Sequence, residues 1–387
     1  MKYLKKFFKW LLILIILIIA VLYITDTDYL LKAVRTIYLN GHTTAFLEDY
    51  KYFDNSVVEA GETHPWPEHT NYNSVDETEI LKKTNAELGT VAYLIIKNDS
   101  IWYEAYYDGY GKDSKSNSFS IVKSMVSGMM GKAITDGYLK GLDQPVGDFF
   151  IEFSEGMAAR TTVGDLSSMA SGTNWDEAYY SPLSITTRAY FDDDLKKVIL
   201  GLKVVEEPGQ KFKYASGDTQ LLAMVLEKAT GKPLNEYLSE SFWKPLGASQ
   251  DAPWQLDSEE GGMVKAYCCV AGNARDFARY GKLFKDHGKW RGEQLLDSSF
   301  VALSLRPRFE ESPQYGYGWW LYTSPEGKSF YMMRGHLGQY VIVNREDNVM
   351  IVRLGRSKSN NKGVGVFTKD IDIYIDEGYK MLEAGSR

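Results

Sequence analysis

The run SIVKSMVSGMMGKAITD at residues 120–136 leaves a folding chain little choice. Placed on a helix, Ile121, Val122, Met125, Val126, Met129 and Met130 cover most of the circumference. A helix of that kind is buried in a core. Ser127 and Gly128 put small residues at mid-helix, where a neighbour can pack close. At the head of the run stand Ser120 and Lys123, spaced S-x-x-K, so that both side chains share one helical face. Burial lowers a lysine pKa, because the charged form loses its hydration. A neutral lysine beside a serine is a general base beside a nucleophile. The unpaired N–H groups at the helix start favour a developing oxyanion. The spacing alone is weak evidence: Ser241 and Lys244 repeat it.

With 387 residues, 44% of them hydrophobic, the chain can bury a large core. Its net charge of −7 offers no basic face for nucleic acid. The 27 tyrosines and nine tryptophans suit a cleft with aromatic walls as well as a core. Cys268 and Cys269 are adjacent, and neighbours rarely pair, so two buried free thiols are expected. His64 and His69 lie in the Pro-rich run HPWPEH, which reads as a surface loop. No H-E-x-x-H pair occurs, and neither a metal nor a cofactor is expected.

Residues 1–9 carry Lys2, Lys5, Lys6 and Lys9 and read as a cytoplasmic basic tail. Residues 10–24 carry no charge and read as a single-pass transmembrane anchor. As helix they span about 22 Å, short of the roughly 30 Å hydrocarbon core. Phe7, Phe8 and a snorkelling Lys9 extend the span. The following TDTD offers no A-x-A-like cleavage site, so an uncleaved anchor is expected. The lysines place the N-terminus in the cytoplasm and the rest of the chain outside.

Residues 25–75 read as a stalk and lead-in, with a short amphipathic helix over 29–38 and irregular structure around Pro65 and Pro67. Residues 76–387 read as the main domain. A helix-favouring segment at 76–87 precedes a hairpin of 91–96 and 101–107 turning at Asn98-Asp99. Helices are expected over 162–169, 194–202, 218–230, 274–286 and 369–382, and a loop over 174–194. Strands are expected over 317–322, 329–333, 340–344 and 349–354. A hairpin early, helices in the middle and strands late give an α+β fold. Its antiparallel sheet is shared by both termini and flanked by helices, with a helical subdomain inserted at about 137–270.

Two further features join Ser120-x-x-Lys123: Tyr214-Ala215-Ser216 just before a helix, and His336-Leu337-Gly338 at the mouth of a strand. Together they resemble the three boxes of the penicillin-recognising serine hydrolases. The Y-x-S and H-x-G forms are similar to the class C β-lactamase, D-alanyl-D-alanine peptidase and family VIII esterase branch. PGQKFKYASGD, YGYGWW and GHLGQYVIVNREDNVMIV support this. The segment SSMASGTNWDEAYYSP is most similar to the 6-aminohexanoate-dimer hydrolases.

The resemblance implies a β-lactamase-like fold and catalytic roles for Ser120, Lys123 and Tyr214. Ser120 attacks an acyl carbon, Lys123 takes its proton, and Tyr214 passes a proton to the leaving group. It implies an oxyanion site at the N–H groups of Ser120 and Gln339, and substrate contacts from Tyr179, Ser216, His336 and Gly338. Tyr179 has an alternative, packing on Trp175. His336 stands where β-lactamases carry lysine, which argues against efficient β-lactam turnover. The expected function is hydrolysis of a small amide, ester or peptide by a membrane-anchored serine hydrolase. A penicillin-binding-like peptidase, or a non-catalytic sensor of cell-wall peptides, is the alternative.

Overall fold

The computed structural model describes residues 1–386. Helix α1 (Lys2–Ile24) has none of its residues buried. It runs through the lysines, and at 23 residues it is about 34 Å long, enough to cross a membrane. Helix α2 (Tyr29–Thr36) follows, then β1 (Thr90–Lys97), β2 (Ser100–Tyr106) and α3 (Ile121–Thr135). The middle of the chain holds α4 (Ile185–Phe191), α5 (Ser216–Thr230) and α6 (Ala274–Lys285). The last third holds β3 (Trp320–Thr323), β4 (Ser329–Gly335), β5 (Gln339–Asn344), β6 (Val349–Gly355) and α7 (Lys369–Ala384).

The six strands form one antiparallel sheet in the order β2-β1-β6-β5-β4-β3. The early hairpin thus pairs with the late strands, as expected from a sheet shared by both termini. Side chains alternate across a strand. Tyr340, Ile342, Val349 and Ile351 face a core that includes Tyr374 and Ile375 of α7. Val341, Val343, Met350 and Val352 face the larger core, with α3 and α6. Both faces are covered, which is why these strands read as nearly unbroken apolar runs.

Helix α3 is buried almost throughout. The close approach at Gly128 comes from a side chain: a Cβ there would meet the Tyr280 hydroxyl at 1.7 Å. Three expectations need correction. Residues 25–75 are not a free stalk. Residues 55–58 pair with residues 252–255, Tyr29 donates to the Pro182 carbonyl at 3.1 Å, and Phe46, Leu47, Phe53, Val58 and Trp66 are buried. Buried Asp49 accepts from Tyr190, Asn117 and Gln255 at 2.6–2.8 Å. Short apolar plugs between polar and proline residues do the packing that a long periodic element would announce. The loop expected over 174–194 contains α4, whose N-cap Ser184 accepts from the Thr187 N–H at 3.1 Å. Cys268 and Cys269 are not free thiols: they are bonded to each other. Cys269 takes the left-handed conformation (φ 82°), a turn of the chain that brings adjacent sulfurs together.

Candidate active site

Ser120 is the N-cap of α3 and is entered through Phe119, which sits at φ 46°. A bulky residue in the left-handed region is strained and needs its surroundings to hold it. Here the hold is explicit. The Phe119 N–H donates to Asn117 Oδ1 at 2.9 Å, and the Ser118 N–H donates to the Val270 carbonyl at 2.8 Å. The lead-in to Ser120 is therefore pinned from two sides.

One helical turn on, Lys123 Nζ donates to Ser120 Oγ at 2.9 Å and to the Tyr267 carbonyl at 2.6 Å. Lys123 is 3% exposed. Burial pushes its pKa down to about 8, against the pull of the Glu177 carboxylate. The second S-x-x-K shows the contrast: the Lys244 ammonium sits near the surface, 2.7 Å from Glu59.

Tyr214 arrives just ahead of α5, and the Lys123 ammonium lies 5.4 Å from its ring centroid. The ring packs between Trp320 and Tyr315 at centroid distances of 5.3 and 6.2 Å. Burial, then the Glu177 charge, push the phenol well above its ordinary range, while a hydrogen bond with Ser120 and the Arg334 charge pull it back. Ser120, Lys123 and Tyr214, far apart in sequence, thus form one cluster.

Glu177 is the residue that sequence reasoning missed. Its carboxylate accepts from the Ser216 hydroxyl, the Ser216 N–H at 2.9 Å, the Trp175 indole and the Tyr179 hydroxyl. It ties the loop after Trp175 to the start of α5. A carboxylate in an acidic, aromatic loop carries no signal that sets it apart from a solvated one.

His336 stacks on Tyr179 with centroids 5.2 Å apart and meets Phe119 edge-on at 5.4 Å. Its Nε2 lies 3.3 Å from Thr44 Oγ1, so the N-terminal lead-in reaches the site. Burial, with a lesser contribution from Lys358, pushes the His336 pKa down to about 4. Ser120, Tyr179, Ser216 and His336 line one cavity. Gly338 does not line it. It sits at φ 83°, where a Cβ would strike Arg353 Nη1 at 2.4 Å, so glycine there serves a close approach within the fold. The Gln339 side chain also faces inward, exchanging hydrogen bonds with Gly355 at 2.6 and 3.0 Å.

A family model described as Beta-lactamase matches residues 78–366. The chain belongs to the beta-lactamase family. This beta-lactamase-family chain is 26% identical over 235 residues to the 6-aminohexanoate-dimer hydrolase of Paenarthrobacter ureafaciens, an alignment covering 58% of this chain and 59% of that protein. It thus aligns with less than two thirds of that relative. The structure is similar to that of a putative 6-aminohexanoate-dimer hydrolase from Bacillus anthracis, with TM-score 0.68, 18% identity, and 92% and 93% of the two chains covered. It is also similar to the D-amino acid amidase of Ochrobactrum anthropi SV3, with TM-score 0.60, 16% identity, and 80% and 98% covered. At those identities the structural likeness speaks for the β-lactamase-like fold.

Proposed function

We propose that this protein is a serine hydrolase that cleaves an amide or ester through an acyl-enzyme on Ser120. The observation that carries the proposal is the Lys123–Ser120 pair: a buried amine 2.9 Å from the hydroxyl, its pKa lowered to about 8. Neutral Lys123 takes the hydroxyl proton as Ser120 Oγ attacks the carbonyl carbon. The oxyanion is received by the N–H groups of Ser120, at the start of α3, and of Gln339, at the start of β5. Tyr214 gives its proton to the leaving group and is reprotonated from Lys123. Water then attacks the acyl-enzyme along the same proton path in reverse. Glu177 holds Ser216 and Tyr179 against the cleft.

The test is a pH profile with p-nitrophenyl acetate. The folded value for Lys123 lies below its ordinary 10.5, so the base form is populated above about pH 8. The ester kcat/KM should rise through about pH 8 and then stay level, since Tyr214 is held above its ordinary range. Turnover that falls across that interval, or none at all, overturns the assignment.

His336 is neutral at pH 7 and offers a substrate carboxylate no permanent cation. Esters and simple amides are therefore expected to outrun penicillins and cephalosporins. His336→Lys should shift the ratio toward a β-lactam by about tenfold, the equivalent of one charge-assisted hydrogen bond. Nitrocefin turnover by the unmodified protein that rivals its best ester would contradict this.

Residues 10–24 are proposed to anchor the protein, with residues 25–387 outside the cytoplasm. The support is the exposed apolar α1 and its flanking lysines. Protease added to intact cells should digest the domain; protection until lysis would refute the orientation.

A further inference from the structure

The cavity beside Ser120 has a composition that the proposed chemistry does not require. Its volume is about 340 Å³, the size of a small-molecule site. Ser120, Tyr267 and Cys268 line it, together with Tyr190 and Phe191. Leu30, Ala33, Val34 and Ile37, on or just after α2, contribute to the lining as well. Among the described residues no Asp, Glu, Lys or Arg lines it, and His336, which does, is neutral. An ammonium or carboxylate placed there would lose its hydration and find no counter-ion, a large cost. Uncharged aliphatic surface would gain by entering.

Two further observations give the cavity a direction. Tyr214, the proton donor proposed for the leaving group, does not line it. The cavity therefore takes the acyl side of the scissile bond. The lining reaches the surface through Val34, Tyr38 and Tyr180, which are 45%, 59% and 74% exposed. Residues 25–28 separate the end of α1 at Ile24 from the start of α2 at Tyr29. A four-residue link spans at most about 14 Å. An anchor in the bilayer would hold this apolar mouth close to the outer membrane surface.

We propose that the substrate is an amphiphile whose uncharged, medium- to long-chain aliphatic acyl group fills this cavity and is transferred to Ser120. This rests on the Ser120 acyl-enzyme proposed above. The ester bond to the alcohol breaks, the bond from Ser120 Oγ to the acyl carbon forms, and the alcohol leaves with the proton from Tyr214. Water then releases the fatty acid and restores Ser120.

The experiment compares p-nitrophenyl acetate, hexanoate, octanoate and 6-aminohexanoate on the full-length protein in detergent. Octanoate should exceed acetate in kcat/KM by at least about tenfold, because added methylenes leave water. Hexanoate should exceed 6-aminohexanoate, whose terminal ammonium has no partner in the cavity. Val34→Trp at the mouth, and Ala33→Phe inside, should each cut the octanoate-to-acetate ratio by about tenfold, in the range of hydrophobic pocket discrimination. Val34 is half exposed, so its variant keeps the test available if Ala33→Phe fails to fold. Ser120-dependent turnover with acetate equal to or above octanoate, or with 6-aminohexanoate preferred, overturns the acyl cavity and leaves the Ser120 assignment standing. Hydrolysis undiminished in Ser120→Ala overturns both.

Discussion

Ser120→Ala is expected to lower p-nitrophenyl ester hydrolysis by about 10⁴-fold or more. Removing an attacking residue closes the covalent path and leaves only binding and electrostatic assistance. The fold should survive the change. Ser120 is a cap at the cleft, and without its hydroxyl Lys123 Nζ still donates to the Tyr267 carbonyl at 2.6 Å. Thermal melting should therefore match that of the unmodified protein. The Ser216 hydroxyl, which also lines the cavity, already donates to Glu177. A residual rate of several per cent at matched melting would place the nucleophile elsewhere.

Tyr214→Phe is expected to slow amide hydrolysis by roughly 10²–10⁴-fold, the range of general acid–base catalysis. The ring and its packing on Trp320 and Tyr315 are kept, so stability should change little. The burial that raises the phenol pKa keeps it protonated at neutral pH and ready to donate. The loss should be smaller for a p-nitrophenyl ester, because p-nitrophenolate leaves unaided and an amine must be protonated first. Equal loss for amide and ester would reduce Tyr214 to an orienter of Lys123. No loss for either would remove it from the site.

Much of this arrangement is legible along the chain, and the reason is periodicity. Helix α3 announces itself because it is apolar on nearly every face, and a core helix must be. The central strands β5 and β6 are legible because each is buried on both sides. Ser120 and Lys123 stand out because a hydroxyl and an amine are awkward neighbours at the head of a buried helix unless chemistry uses them, whereas Tyr214 is legible through the resemblance of Tyr214-Ala215-Ser216 to a family motif. What stays illegible lacks a period. The packing of residues 29–75 depends on short plugs such as Phe46-Leu47 and Phe53, without a sustained period. Helix α4 has seven residues, too few for a periodic stripe to announce it, and starts at the Ser184 cap. Glu177 is defined by its four donors, which come from positions 175, 179 and 216, so only the folded chain identifies it. The bond between Cys268 and Cys269 depends on one left-handed backbone angle, a property of the turn.

The central claim is that Ser120 becomes acylated, and trapping the adduct tests it most directly. The full-length protein is treated at pH 8.5 with an alkyl fluorophosphonate, digested, and mapped by tandem mass spectrometry. The expected result is one phosphonyl group on Ser120, in step with the loss of ester hydrolysis, and no labelling in Ser120→Ala. A modified residue other than Ser120, or full inactivation with Ser120 unmodified, would contradict it. Labelling of Ser120 in a protein that turns over neither ester nor amide would instead identify a sensor that has kept the nucleophile and lost deacylation.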